Sequence, residues 1–479
     1  MADTHISSRD SLSPKANERR VAELAAIGRV IDESSTSFPS DYEPNPEEVS
    51  DGSEDEDLEL FRPVIDAIDF DALASVAMRI RGEQETGAPV QEKVTQSISC
   101  YVNQDSPILG SYHLVYFLTF SDGLRWVVRI PGNAVSTFGK LDVERLDQEN
   151  QMMRHVRSVT SMPIPNVFFW ETSSSTIGVP YTLMSFVCGI SVLERWSDKS
   201  WITEAKRLTI LRNLARVVSQ LHVLQFDKIG TLSFDVDGNF SHIGDLYTRT
   251  EPKIGDCKEE ETWGFLTSHA PYDDTRTWLM DEWDGLERSN QYSEAELAIM
   301  RLAADSIPGS VATKPPFVLS PPDFDSQNVF IDENCNITGI IDWDNTITQP
   351  RIAGFARYPS WITRDWDPCM YGYPIVPAED SPEQLSRYRQ EYARAFDELH
   401  LPAAAYSSQD TLLSHIFEAI DLGISSAMCR SGIVYRLLEH AFDSKVPFSI
   451  REYYSAFEDQ RAELYLIRIK EAFRTMWHP

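Results

Sequence analysis

Three short apolar runs open the patterned part of the chain: VTQSISCYV (94–102), YHLVYFLTF (112–120) and RWVVRIP (125–131). Branched and aromatic residues dominate them, which predicts strands. The Ser-Asp-Gly at 121–123 predicts a hairpin between the last two. In RWVVRIP a period of two places Trp126, Val128 and Ile130 on one face, and Val127 with Arg129 on the other. A helix is predicted over about 141–158. Leu146, Met153 and Val156 define its apolar face, and Glu149 falls on that face one turn after Leu146. PIPNVFFWE and PYTLMSFV read as two more strands. After Gly189 the period lengthens to that of helices. Residues 207–224 put Leu208, Leu211, Leu214, Val218 and Leu221 on one side. Residues 381–399 carry Leu385, Tyr388, Tyr392, Phe396 and Leu399 as a stripe. Ser381 is placed as N-cap and Pro382 in the first turn. A leading helix is expected in IDFDALASVAMRIRG, just before the strands.

Composition narrows the class. The chain has 479 residues with 43 basic and 74 acidic ones, a formal charge of −31. That argues against nucleic acid or an anionic membrane as partner. Hydrophobic residues make up 42%, enough for a sizeable core. Residues 1–60 form an acidic tail expected to be mostly disordered, with one short helix possible at about 17–32. Between Asp41 and Leu60 stand ten acids and no Lys or Arg, a composition that buries too little to offset ordering entropy. Residues 251–275 read as a polar insertion. Cysteines at 100, 188, 257, 335, 369 and 429 show no CxxC spacing, which disfavours a disulfide framework or zinc site and suits a reducing compartment. No run of 18 apolar residues predicts a membrane span. The N-terminus lacks an apolar signal core, and its acids count against a transit peptide. The expected location is cytoplasmic.

The chemistry concentrates in LSPPDFDSQNVFIDENCNITGIIDWD (319–344). VFID and ITGIID are apolar strands around the turn-rich ENCN, so a hairpin is expected. Antiparallel pairing would set Asn328 nearly opposite Asp342, with alpha carbons roughly 4.5–5.5 Å apart. An amide oxygen and a carboxylate converging there would suit magnesium, which takes one or two protein carboxylates with phosphates and water. Asp323, on the loop just before, would reach a substrate hydroxyl beside that ion. An Asp, an Asn five residues on and an Asp on the next strand form the phosphoryl-transfer pattern. Asx-capped turns would account for any one of these residues alone.

This stretch resembles the catalytic and metal-binding segments of the aminoglycoside phosphotransferase family, and is most similar to its fungal branch. The resemblance spans roughly 65–375 and takes in GSYHLVYFLTFSDGLRWVVRIPG, MPIPNVFFWE, YTLMSFVCG, QLHVLQFDKIGTL and YPSWITRDWDP. It implies an α+β, two-lobed protein-kinase-like fold. The small antiparallel-sheet lobe with its leading helix would span 61–187, and the mainly helical lobe 188–479. It implies transfer of the terminal phosphoryl group of ATP or GTP to a small-molecule hydroxyl. Asp323 resembles the catalytic base, and Asn328 and Asp342 the ligands of Mg2+. The family usually has His two residues before that Asp. Here Pro321 stands there, removing a side-chain donor while stiffening the loop.

The nucleotide half follows from the same resemblance. Arg129 would hold the phosphates, fixed by Glu149, since a carboxylate on a buried face needs a partner. Gly110, in ILGSYHLVY, would let the backbone approach the phosphates. Met184, Ser185, Phe186 and Val187 would form the hinge that pairs with adenine. The alternative reading is a nucleotide-binding pseudokinase serving as an interaction module. A protein kinase is disfavoured, because NTITQPRIAGFARYPSWITRDWDP contains neither DFG nor APE.

Overall fold

The computed structural model describes residues 52–85, 98–105, 107–249, 263–281, 283, 286, 291–309, 315–376 and 379–477. Most of the acidic tail, including the helix expected at 17–32, lies outside them. The tail does not extend to residue 60, however. A helix, Gly52–Ala67, starts inside it. Phe61 and Val64 are each 1% exposed and pack with the sheet behind them. Those two apolar anchors outweigh the charge run that precedes them.

The helix Phe70–Glu85 follows, and then an antiparallel sheet. Its strands are β1 (Cys100–Val102), β2 (Ile108–Leu109), β3 (His113–Phe120), β4 (Arg125–Pro131), β5 (Val167–Glu171) and β6 (Tyr181–Ser185). Their order is β1-β3-β4-β6-β5, with β2 also on β3. The expected hairpin is present, with Phe117 opposite Val127 and Val115 opposite Arg129. The strand expected from 94 is described only at Cys100–Val102. Trp126, Val128 and Ile130 are buried with Leu114, Tyr116 and Leu118, as alternation required. The opposite face of β4 therefore carries Arg129 toward the second lobe.

The helix Lys140–Val159 crosses between the lobes. Asp142 accepts a hydrogen bond from the Gly139 N–H at 2.9 Å and so satisfies the N-cap donor at the start of the helix. Met152, Met153 and Val156 pack into the core of the second lobe. That lobe is mainly helical. Helix Glu204–Val218 lies against helix Pro382–Glu398, whose Ser381–Gln384 capping box starts the helix where the sequence placed it. A separate core gathers the helices Gln291–Ser306, Ser414–Ser425, Ala427–Ala441 and Glu463–Thr475. The fold is α+β, with a sheet lobe and a helical lobe.

The end of the polar insertion is described. Leu266–His269 pairs antiparallel with Leu246–Arg249, and Trp263 packs against Phe61 with centroids 4.9 Å apart. Residues 251–262 lie outside the described part. No helix among the described residues is long and apolar enough to cross a membrane.

Candidate active site

The loop 320–328 folds around one carboxylate. Asp323 Oδ2 accepts from Asn328 Nδ2 at 2.7 Å and from Gln327 Nε2 at 3.1 Å. Asn328 Nδ2 also reaches the Asp323 carbonyl at 3.1 Å. The backbone closes the turn, with Asp325 N–H donating to the Asp323 carbonyl at 2.9 Å. Asp325 itself is held by Arg364 at 2.6 Å.

A second arginine grips the loop upstream. Arg357 donates from Nη2 to the carbonyls of Pro321 (2.8 Å) and Pro322 (3.0 Å), and from Nε to the Ser320 hydroxyl (2.8 Å). Its Nη1 pairs with Glu418 at 2.6 Å, and its guanidinium lies 5.6 Å from the Phe324 ring centroid. A planar cation with five donors can hold several backbone oxygens at once. The backbone of Pro321 and Pro322 is thus clamped by a residue that lies later in the chain. Sequence reasoning did not single out Arg357, since no spacing rule links it to residue 321.

The hairpin forms, but its register differs from the expected one. Strands Val329–Ile331 and Ile337–Ile340 pair with Val329 opposite Ile340, and a bulge falls between Phe330 and Ile331. The Ile341 N–H donates to the Asn328 carbonyl at 2.9 Å. Asn328 therefore faces Ile341, one residue short of Asp342. Asp342 follows in a left-handed conformation, φ 61°. For a residue with a Cβ this is uncommon and costs energy. It leaves Asp342 on the cavity wall while Trp343 is buried.

Arg129 points into the cleft, but its ion-pair partners are not Glu149. It pairs with Asp342 Oδ1 at 2.9 Å and with Asp344. The segment after the hairpin inserts between the expected pair, because Asn345 N–H donates to Glu149 Oε1 at 3.0 Å. Arg145 stands 4.0 Å from Glu149 and donates to Asn345 at 3.1 Å. Glu149 is on the buried face as expected, 13% exposed. Asp344, Arg145 and His113 were missed. The signal for Asp344 was its position in IIDWD, two residues beyond Asp342.

These charges tune one another. Burial raises the Glu149 carboxyl to about 7 against the pull of Arg145. Burial also raises Asp342, opposed by Arg129. At Asp344 burial is outweighed by Arg129, His113 and Arg145, which bring it to about 2. Burial and Arg129 lower His113 to about 3, so its imidazole is neutral beside Asp344, 3.3 Å away. Arg129 stays protonated despite burial because two acids flank it. An acid kept high and only singly bonded, as Asp342 is, suits a group that awaits a cation.

One cavity of about 460 Å³ collects Gly110, Arg129, Glu149, Asp323 and Asp342 on its walls, within the usual range for small-ligand sites. Gly110 is tightly placed: its N–H donates to the His113 carbonyl at 2.8 Å, and a Cβ there would meet that oxygen at 3.2 Å. Asn328, 6% exposed, lies behind Asp323. Its Nδ2 is committed to Asp323, so Oδ1 is the atom that would ligate a cation. With Asp342 the donor set is oxygen only, which fits a hard ion such as magnesium.

The four hinge residues lie apart from these walls. Met184 and Ser185 belong to β6, opposite Val127 and Trp126. Phe186 packs edge-on against Phe117 at 5.5 Å, under Arg125. Val187 fills the space that a Cβ on Gly339 would need, 2.1 Å from it. Only Phe186 and Val187 lie beyond the strand, with their backbone outside the sheet ladder. Asp367, Cys369, Glu418, Asp421 and Cys429 also line the cavity.

Residues 106–401 match the model of the phosphotransferase enzyme family. Over 161 residues the chain is 27% identical to the altered inheritance of mitochondria protein 9, mitochondrial, of Yarrowia lipolytica. That stretch covers 33% of this chain and 26% of that protein. Among solved structures it is similar to a candidate aminoglycoside phosphotransferase from Ralstonia eutropha, at 13% identity and a TM-score of 0.43. The match covers 86% of this chain and 97% of that one. It is also similar to macrolide 2'-phosphotransferase type I, at 15% identity and a TM-score of 0.38. There the coverage is 81% of this chain and 96% of the other.

Proposed function

The chain belongs to the phosphotransferase enzyme family, and from that premise we propose that it transfers the terminal phosphoryl group of ATP or GTP to the hydroxyl of a small molecule. The observation that carries this reading is one cavity shared by Asp323 and by the Arg129–Asp342 pair. A group that can take a proton and a cation that can hold phosphates then face one substrate.

Asp323, oriented by Asn328 and Gln327, would accept the acceptor's hydroxyl proton as its oxygen bonds to phosphorus and the bond to the nucleoside diphosphate breaks. Arg129 would exchange part of its contact with Asp342 for phosphate oxygens. Gly110 would let the loop backbone approach them. Asn328 and Asp342 would hold Mg2+, which when bound neutralises developing phosphate charge. Glu149, through Asn345, would fix the segment carrying Asp342 and Asp344 rather than fix Arg129 directly. Adenine or guanine would pair with backbone at Phe186 and Val187, with Met184 and Ser185 behind them in the sheet. The lobe limits 61–187 and 188–479 belong to this reading. So does a cytoplasmic location, set against a relative whose name is mitochondrial; cell fractionation decides between the two compartments.

The test is thermal unfolding with ATP and GTP, with and without magnesium, followed by acceptor-dependent turnover. Magnesium-dependent stabilisation and turnover support the reading. Absence of nucleotide binding overturns it. Tight magnesium-nucleotide binding without transfer to any hydroxyl acceptor favours the pseudokinase alternative.

A further inference from the structure

On the wall of the same cavity, two thiols and a carboxylate converge. Asp367, Cys369 and Cys429 each offer a ligand atom, and these atoms all lie within 4.8 Å of one another. All three residues line the cavity wall. Cys429 is 5% exposed, and neither cysteine is in a disulfide. We propose that Asp367, Cys369 and Cys429 form a binding site for a thiophilic divalent ion, zinc or a close substitute, distinct from the magnesium position.

Tetrahedral zinc holds thiolates at about 2.3 Å, so paired sulfurs come to about 3.8 Å of one another. Side-chain torsions of two cysteines and one aspartate cover the remaining difference without backbone movement. The backbone is fixed where it matters. Asp367 and Cys369 sit on one short turn, where the Cys369 N–H donates to Asp367 Oδ1 at 3.1 Å. Cys429 sits in the first turn of the helix Ala427–Ala441 and donates its N–H to the Ser426 hydroxyl at 3.3 Å. That helix and the turn are locked together. A Cβ on Gly432 would meet Pro368 at 2.4 Å, and Arg436 donates to the Asp365 carbonyl at 2.7 Å.

Ligand chemistry separates the two sets of residues. Oxygen-only donors near Asp342 suit a hard ion, whereas two sulfurs select zinc over magnesium. Three protein ligands leave a fourth position for water or for a donor atom of a bound molecule, as in open zinc sites. Binding converts two thiols to thiolates and releases two protons to solvent per ion. No oxidant or reductant is needed. A disulfide between the two cysteines would use neither the carboxylate nor its position. The expectation drawn from the absence of CxxC spacing therefore does not extend to this pair, which only the folded chain brings together.

The test is titration of the reduced full-length protein with cobalt(II), then with zinc(II) against a chromophoric chelator, in magnesium-containing buffer and without nucleotide. One equivalent of cobalt with thiolate-to-cobalt charge-transfer absorption, displaced by zinc and not by magnesium, is expected. Cys369→Ser and Cys429→Ser should each weaken zinc binding by more than about 100-fold, beyond the loss typical of an outer-shell change. Asp367→Asn should weaken it less, and Cys188→Ser, at an exposed cysteine, should leave it unchanged. Circular dichroism of the metal-free variants checks that they fold. Absence of charge-transfer absorption overturns the proposal, as does equal absorption in Cys369→Ser and Cys429→Ser. A Cys369–Cys429 disulfide that forms at once in place of metal uptake also overturns it. None of these readouts depends on phosphoryl transfer.

Discussion

The guanidinium of Arg357 donates to the carbonyl of Pro321 at 2.8 Å, and the same group binds Ser320, Pro322 and Glu418. The backbone two residues ahead of Asp323 is therefore held from outside the loop. Arg357→Lys keeps the charge and loses the fork. Turnover should fall about 10- to 100-fold, since displacement of about 1 Å can cost 100-fold. Magnesium-nucleotide affinity and acceptor KM should move little. Steady-state kinetics with a thermal-unfolding control reads this, and unchanged kcat would show the clamp to be purely structural.

Because Arg357 already anchors both proline carbonyls, a histidine at 321 has little left to support. Pro321→His should leave turnover within about tenfold of the parent. Asp323→Asn removes a proton acceptor and should cost roughly 100- to 10,000-fold. The comparison is phosphoryl transfer by the purified variants. Full activity in Asp323→Asn would remove the catalytic assignment.

Arg129 neutralises two acids at once. Arg129→Met should weaken nucleotide binding and also lower stability, since it strands Asp342 and Asp344 together. Asp342 is 39% exposed and Asp344 18%, so solvent softens the penalty to about 1–3 kcal/mol. Urea unfolding measures it. A pairing with Glu149 alone would predict a loss confined to one carboxylate, so the double variant Arg129→Met, Asp344→Asn separates the cases. It should recover part of the lost stability.

Asp410 supplies a pH signature remote from the cavity. It is 2% exposed, accepts from the Ser407 N–H at 2.8 Å and lies 3.5 Å from Arg351. Burial raises it to about 6 despite that arginine. A folded value above the unfolded one means the native state holds its proton more tightly. The contribution is full below about 4 and is lost as pH rises to about 6, on the order of 3 kcal/mol at most. Asp410→Asn should flatten that slope in urea titrations at pH 4, 5, 6 and 7. An identical slope in the variant would reject the assignment.

The sheet, the crossing helix and the helix Pro382–Glu398 were legible because each shows its period and its stop signals in a local window. Asp323 and Asp342 were legible from spacing within one hairpin. The partner of Asn328 depends on a local detail, because the bulge between Phe330 and Ile331 adds one residue to the second strand and sets Ile341 opposite Asn328, which alternation cannot reveal. The wrong partner for Arg129 has a non-local cause. Asp342 turns left-handed and delivers Asp344 and Asn345 between the arginine and Glu149. Met184 and Ser185, assigned to a hinge by resemblance, form the end of β6 through pairing with Val127 and Trp126. Arg357, Glu418, Cys369 and Cys429 come together only through packing of distant helices, and no short-range pattern marks them.

Glu418, Asp421 and Cys429 line the cavity from helices Ser414–Ser425 and Ala427–Ala441, whereas the family match ends at residue 401. The groups proposed to move phosphate thus lie within the matched stretch, and part of the cavity lining lies beyond it. Drift in the terminal helices can redraw what fits the cavity without touching Asp323 or Asp342. Glu418 joins the two stretches, since a change there reaches the proline loop through Arg357.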